Sequence, residues 1–193
     1  MNKVNKEVRF EVPTLPQKDN SSGTYVSKAK WRQDRPLILV VACSDGRYQK
    51  ALDDFLGSRL GIFDYDRLYA PGGPGALVPS VISYFRGVQF QDEAKFLIDV
   101  HLIERVILIM HGPEVEEGPP DATCADYMRR LPGSAARVIS EQQEKDLSKI
   151  YSFIQRYAPK VLVEIYTAEV LTDLTVQFVT IPLVSDSYYP SYK

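Results

Sequence analysis

The chain has 193 residues, 45% of them hydrophobic and 25% charged, with a formal net charge of -2. That balance suits one globular domain with a sizeable core and gives no basic surface for nucleic acid or an anionic membrane, so neither is expected as a partner. No apolar run approaches the roughly 20 residues of a membrane helix, and the first residues, MNKVNKEVRFEVPTLPQKDNSSG, carry no apolar h-region, so a cytoplasmic location is expected.

Residues 1–34 are polar, with Pro13, Pro16 and the Asn20-Ser21-Ser22-Gly23 cluster, and read as an N-terminal arm; residues 35–193 read as a single domain. Leu37 to Ala42 is a continuous apolar run, as expected of a strand covered on both faces. Cys43-Ser44-Asp45-Gly46-Arg47 follows it directly. A helical pattern then places Ala51, Leu52, Phe55, Leu56 and Leu60 on one face. Arg67 to Ala70 is a second short strand, and Pro71-Gly72-Gly73-Pro74-Gly75 breaks regular structure. Ala76 to His101 is helical in pattern, with Ala94, Leu97, Ile98 and His101 or Leu102 on one face. Arg105 to Met110 is the third strand, with His111 at its end. Thr123 to Leu131 is a short helix stopped by Pro132-Gly133, with Asp121 and Thr123 as candidate caps. Glu141 to Tyr157 is a longer amphipathic helix, with Leu147, Ile150, Tyr151, Ile154 and Tyr157 as its apolar stripe. Val161 to Tyr166 and Val176 to Ile181 are two more strands. The alternation is that of an α/β fold, with a mostly parallel central sheet flanked by helices.

In such sheets functional groups collect beyond the carboxyl ends of the strands. Cys43 and His111 both fall there. Each alone is more simply a buried structural residue. Together, a soft thiolate and an imidazole at strand ends are suitable zinc ligands, and a tetrahedron then needs one or two more. Asp45 can turn its carboxylate toward the same centre, and Arg47 can hold both carboxylate oxygens. Cys-x-Asp-x-Arg thus reads as ligand, gate and latch; the plain alternative is a surface ion pair in a turn.

Cys43-Ser44-Asp45-Gly46-Arg47 after a strand resembles the Cys-x-Asp-x-Arg signature of the β-class carbonic anhydrases, and Phe96 to Gly112 (FLIDVHLIERVILIMHG) resembles that family's helix, strand and His-Gly ending. Tyr69-Ala70-Pro71-Gly72-Gly73 stands where the family usually has Arg-Asn-Ala-Gly-Asn, and Val161 to Ile181 is similar to its C-terminal strand pair. The resemblance implies a β-carbonic-anhydrase-like fold, bound Zn2+, reversible hydration of carbon dioxide to bicarbonate, and a homodimer or larger homo-oligomer. It implies that Asp45, latched by Arg47, either aims a zinc-activated water or itself becomes the fourth ligand in a closed state. The chain departs from the family at His-x-x-Cys: the third residue after His111 is Glu114.

Cys124, which with Ala125 opens a short helix, repairs the set if Gly112 to Thr123 contains an insertion. A helix start stabilises a thiolate, and a loop closes the 13 residues from His111 to Cys124. The candidate metal ligands are therefore Cys43, His111 and Cys124, with Glu114 as the alternative to Cys124 and loss of the site as a third outcome. Rival functions are a non-catalytic zinc-binding relative, in keeping with the acidic run Glu114-Val115-Glu116-Glu117, and a hydrolase of another small heteroallene. A thiol enzyme using Cys43 and His111 lacks a Cys-x5-Arg cradle, and nucleotide binding at Pro71–Gly75 lacks both Gly-x-Gly-x-x-Gly and a P-loop lysine. His101 reads as structural or interfacial, and Ser187–Tyr192 as a tail packing on a neighbour.

Overall fold

The computed structural model describes residues 26–113 and 118–182. Most of the expected N-terminal arm, the acidic run with Glu114, and the Tyr-rich tail lie outside the described residues. The chain divides into two units, Met1–Gln33 and Asp34–Lys193. In the first, Val26–Gln33 are exposed and hold neither helix nor strand.

The second unit is built on a five-stranded sheet in the order β2-β1-β3-β4-β5. The strands are β1 (Ile38–Ala42), β2 (Asp66–Tyr69), β3 (Arg105–Pro113), β4 (Leu162–Val170) and β5 (Val176–Thr180). The first four run parallel and β5 returns antiparallel to β4. The helices are α1 (Gln49–Asp54), continued by a π-helical turn at Phe55–Arg59, then α2 (Tyr84–Val100), α3 (Ala125–Arg130) and α4 (Ala136–Tyr157). Leu39–Ala42 of β1 and Val106–Met110 of β3 are all at most 1% exposed. That burial on both faces is why neither run alternates. α4 closes the core with Ile139, Leu147, Ile150 and Ile154, while Tyr157 turns out to solvent.

The chain steps from β1 to β2 on one side and then crosses back past β1 to β3. The order therefore reverses between β1 and β3, and a crevice opens at their carboxyl ends. Cys43 follows β1 at that point. His111 is not beyond β3 but inside it, because β3 runs on to Pro113 by pairing with β4 as far as Pro113↔Val170.

Three other elements differ from expectation. Only Tyr84–Val100 of the 76–101 segment is α-helix; Pro79 has no N–H to donate and separates it from the preceding turn. α4 starts at Ala136 instead of Glu141, and Ile139 adds a turn to the buried stripe. Pro71–Gly75 does not simply break structure: Gly73–Leu77 is a buried 3-10 helix. It rests on the sheet's carboxyl edge, where a Cβ on Gly73 (φ +55°) would lie 3.0 Å from the Cys43 nitrogen and 3.2 Å from the Ile109 oxygen. A Cβ on Gly75 would overlap the Tyr127 hydroxyl of α3. Glycine is required at both points to let the backbone come this close.

α3 is too short to hold its own place and is tied down by a buried carboxylate. Asp146 of α4, with no exposed side-chain surface, pairs with Arg130 (Nη2–Oδ2 2.7 Å) and accepts from the Tyr127 hydroxyl (2.9 Å) and Gln142 (2.8 Å). Removing one partner of such a network strands buried charge. Asp146→Ala is expected to lower unfolding free energy by about 3–5 kcal/mol in urea denaturation; a loss within about 0.5 kcal/mol would show that the network does not hold α3.

Candidate metal centre

Three elements deliver three side chains to the β1/β3 crevice. Cys43 sits where β1 ends, His111 projects from β3, and Cys124 occupies the N-cap of α3. All three are buried. The Cys43 and Cys124 sulfurs are 4.0 Å apart, and the ligand atoms of the three residues lie within 4.8 Å of one another. Among the described residues this is the group of three or more His, Cys, Asp or Glu close enough to share an ion.

The spacing suits a metal. Zinc–sulfur bonds of about 2.3 Å in a tetrahedron set sulfurs about 3.8 Å apart. The imidazole gives a second indication: His111 Nε2 is buried and has no hydrogen-bond partner among the described residues. Such an orphan atom is costly in a core unless something coordinates it. Two thiols and one imidazole are a soft donor set that selects zinc over magnesium or calcium.

Each donor is held from behind. The Tyr48 ring stacks on His111 with centroids 4.9 Å apart, and its hydroxyl donates to the Cys43 carbonyl oxygen at 3.1 Å. Gln49 Nε2 donates to the same oxygen at 2.9 Å. Gln143 of α4 donates to the His111 carbonyl oxygen at 3.1 Å. Asp121 and Thr123 do not cap α3: Cys124 itself fills the N-cap, and no side chain there makes a capping bond.

The two thiols are drawn in opposite directions by their shared hydrogen bond. Cys43 is drawn below the ordinary thiol range by the hydrogen bond from Cys124, against burial and with help from His111. Cys124 is pushed up by that same bond and then by burial, although the Tyr127 and Asp126 amides of α3 pull the other way. A bound cation removes the asymmetry by displacing both protons.

Asp45 and Arg47 form a two-pronged pair, with Arg47 Nε 3.0 Å from Oδ1 and Nη2 2.6 Å from Oδ2, and the Arg47 amide also donates to Oδ1 at 3.0 Å. Arg47 Nη1 reaches the Asp121 carbonyl oxygen at 3.1 Å. One guanidinium therefore joins the loop carrying Cys43 to the turn leading to Cys124. The hydrogen bond from the Arg47 side chain holds the Asp45 carboxyl down to about 2. A small pocket of about 20 Å³, lined by His111, Thr123, Cys124, Ser140, Gln143 and Glu169 among others, adjoins the donors and has room for a single water. His101 is elsewhere, 2.6 Å from Asp66 at the amino end of β2.

Tyr48, Gln143 and Asp146 escaped the sequence reading. Gln143 and Asp146 left a trace: both are polar, yet they keep the spacing of α4's buried face alongside Ile139, Leu147 and Ile150. Nothing in the sequence marks Tyr48.

Two outcomes are expected here. Tyr48→Phe keeps the ring on His111 and costs about 1 kcal/mol, whereas Tyr48→Ala also weakens zinc binding about 10–100-fold, read by competition with a chromophoric chelator; equal zinc affinity in the two variants would remove Tyr48 from the centre. Asp45's carboxyl lies below its ordinary value of 3.8, so its stabilising contribution is complete above that value and is lost as pH falls through about 2. Arg47→Met should return the Asp45 carboxyl toward 3.8, followed by carbon-detected NMR titration; an unchanged midpoint would mean the pair does not form in solution.

No family model matches the chain, and no curated protein matches it. Among solved structures it is similar to the β-carbonic anhydrase isoform I of Trichomonas vaginalis, with 14% identity over 84% of this chain and 88% of that one and a TM-score of 0.43. It is also similar to a carbonic anhydrase of Streptococcus mutans, with 12% identity over 81% and 88% of the two chains and a TM-score of 0.45. A carbonic anhydrase of Glaciozyma antarctica shows 16% identity over 77% and 83%, with a TM-score of 0.42.

Proposed function

We propose that the chain binds zinc through Cys43, His111 and Cys124 and catalyses the reversible hydration of carbon dioxide to bicarbonate. The observation that carries this reading is the convergence of three buried donors beside an arginine-held carboxylate at the sheet's switch point. The resemblance of Cys43–Arg47 and Phe96–Gly112 to β-class carbonic anhydrases supports the choice of substrate.

Bound in this group, zinc would supply a Lewis acid that brings the pKa of water toward neutrality. The chain's own residues do the rest. Cys43 and Cys124 bring two negative charges and His111 none, which balances a divalent cation in a dry site. Asp45, fixed by Arg47 and ionised at any pH above about 2, accepts a hydrogen bond from the attacking water and orients it. A carboxyl held that low is a poor resting place for the proton released with bicarbonate, so Asp45 is a positioning group and the proton passes to solvent buffer.

A homodimer or larger assembly is part of the proposal. Its support is the exposed apolar series Val81, Ile82, Tyr84 and Phe85 across the start of α2, a run too apolar for an idle surface. No helix among the described residues is long and apolar enough to cross a membrane.

Elemental analysis after zinc-supplemented expression should find about one zinc per chain, and stopped-flow measurement should find carbon dioxide hydration. Asp45→Asn should keep the zinc and lose about 100-fold in kcat. A chain that holds zinc but hydrates nothing is the non-catalytic relative, and one that holds no zinc overturns the reading. Zinc retained in Cys124→Ala but lost in Glu114→Ala would move the third ligand to Glu114. Phe85→Glu should shift the light-scattering mass toward that of a monomer; an unchanged mass would place any interface elsewhere.

A further inference from the structure

The Cys43 and Cys124 sulfurs are 4.0 Å apart although 81 residues separate them in sequence. They are also the only cysteines of the chain. Both are buried thiols, enclosed together and facing each other. A disulfide needs the sulfurs at about 2.05 Å, an approach of about 2 Å that two side-chain rotations can share. The structure favours such a movement. Tyr48 and Gln49 pin the Cys43 carbonyl, which fixes the backbone here, while the Cys43 sulfur already faces and hydrogen-bonds that of Cys124. Cys124 lies between a three-residue 3-10 turn (Pro120–Ala122) and the six-residue α3, a segment with little regular structure to resist a small shift. Ser44, Gly46 and Arg47 beside Cys43 are exposed, so the loop that carries this thiol lies at the surface.

We propose that Cys43 and Cys124 form a dithiol–disulfide couple, so that the chain exists either as a dithiol able to hold a metal or as an internal disulfide unable to do so. The oxidant class is a hydroperoxide. One thiol attacks the O–O bond, its sulfur is oxidised to a sulfenic acid, and one water leaves. The second thiol displaces the hydroxyl of the sulfenic acid as a second water. One S–S bond forms and two S–H bonds break; the two sulfurs lose two electrons, and the peroxide oxygens take those electrons and both protons. A sulfur in an S–S bond has no thiolate charge to give, so the oxidised group retains only His111 as a donor. The same two atoms thus cannot serve both states. The couple rests on their proximity and holds whether or not the chain hydrates carbon dioxide; it depends on the zinc reading only in the protection that zinc would give.

The full-length chain, stripped of metal by a chelator, is treated with hydrogen peroxide and followed by intact mass, thiol count under denaturing conditions and peptide mapping. The expected result is loss of both thiols together, a mass lower by about 2 Da, a Cys43–Cys124 linked peptide, a monomeric band without reductant, and full return with dithiothreitol. Retained thiols, stepwise oxygen adducts or disulfide-linked dimers would overturn the couple. Cys124→Ser removes the resolving thiol, and Cys43 should then be trapped as a sulfenic acid by dimedone; a linked state in this variant would have to be intermolecular and would count against the proposal. In a second arm the chain is first loaded with zinc, with loading measured by native mass. Thiol loss should slow about tenfold or more, and an equal rate with zinc bound would overturn the exclusion. A chain that takes up no zinc yet forms the disulfide leaves the couple standing and sinks only the metal reading.

Discussion

A buried imidazole nitrogen with no partner among the described residues, next to two buried thiols 4.0 Å apart, is an unfavourable arrangement for a protein core, and the surrounding structure is organised around it. Such groups persist only where the fold holds them together for a purpose or a bound partner satisfies them. Here the fold holds them from several directions. The β1/β3 register brings Cys43 and His111 to one crevice. In the Gly72-Gly73-Pro74-Gly75 turn, Gly73 lies against the Cys43 and Ile109 backbone and Gly75 against Tyr127, and at both points a Cβ would crowd the contact. α4 supplies Gln143 to the strand carrying His111 and Asp146 to the helix carrying Cys124.

Arg47 has a wider part than its place in a surface turn suggests. An exposed Asp–Arg pair contributes little by itself. This guanidinium spends two nitrogens on Asp45 and a third on the Asp121 carbonyl, so it sets the carboxylate and also spans the two loops that present the cysteines. Lysine could neutralise the same charge but could not make that fork and span at once.

Much of this was legible in the sequence, and the limits have physical causes. β1 and β3 announced themselves as continuous apolar runs because both faces of the sheet are covered, and four parallel strands followed from the alternation with helices. Cys43, Asp45 and Arg47 stood out because they are three chemically active groups at alternate positions directly after such a run. Cys124 could be found through its place at a helix start, since helix starts have a local signature. His111 was misplaced by one element boundary: Gly112 and Pro113 look like strand terminators, and only the length of β4 keeps them paired. Tyr48 was silent because its stacking partner, His111, is dozens of positions away, and Asp146 left only its place on the buried face of α4, because its partners Tyr127 and Arg130 belong to another helix. The 3-10 helix at Gly73–Leu77 was silent for a related reason: its glycines serve close contact with other elements as well as flexibility.

The anchoring of the donors is unequal, and this bears on how the centre comes apart. Cys43 directly follows β1 and His111 lies within β3, the adjoining inner strands of the sheet, and core strands of this kind open at the high end of the free-energy range. Cys124 stands at the head of a six-residue helix held by side-chain bonds to α4 and to the glycine turn. Segments of that kind open locally at a free energy well below that of the whole domain. Dissociation from the centre would then be paced by the breathing of α3, and amide exchange at residues 125–130 would report the lifetime of whatever the three donors hold.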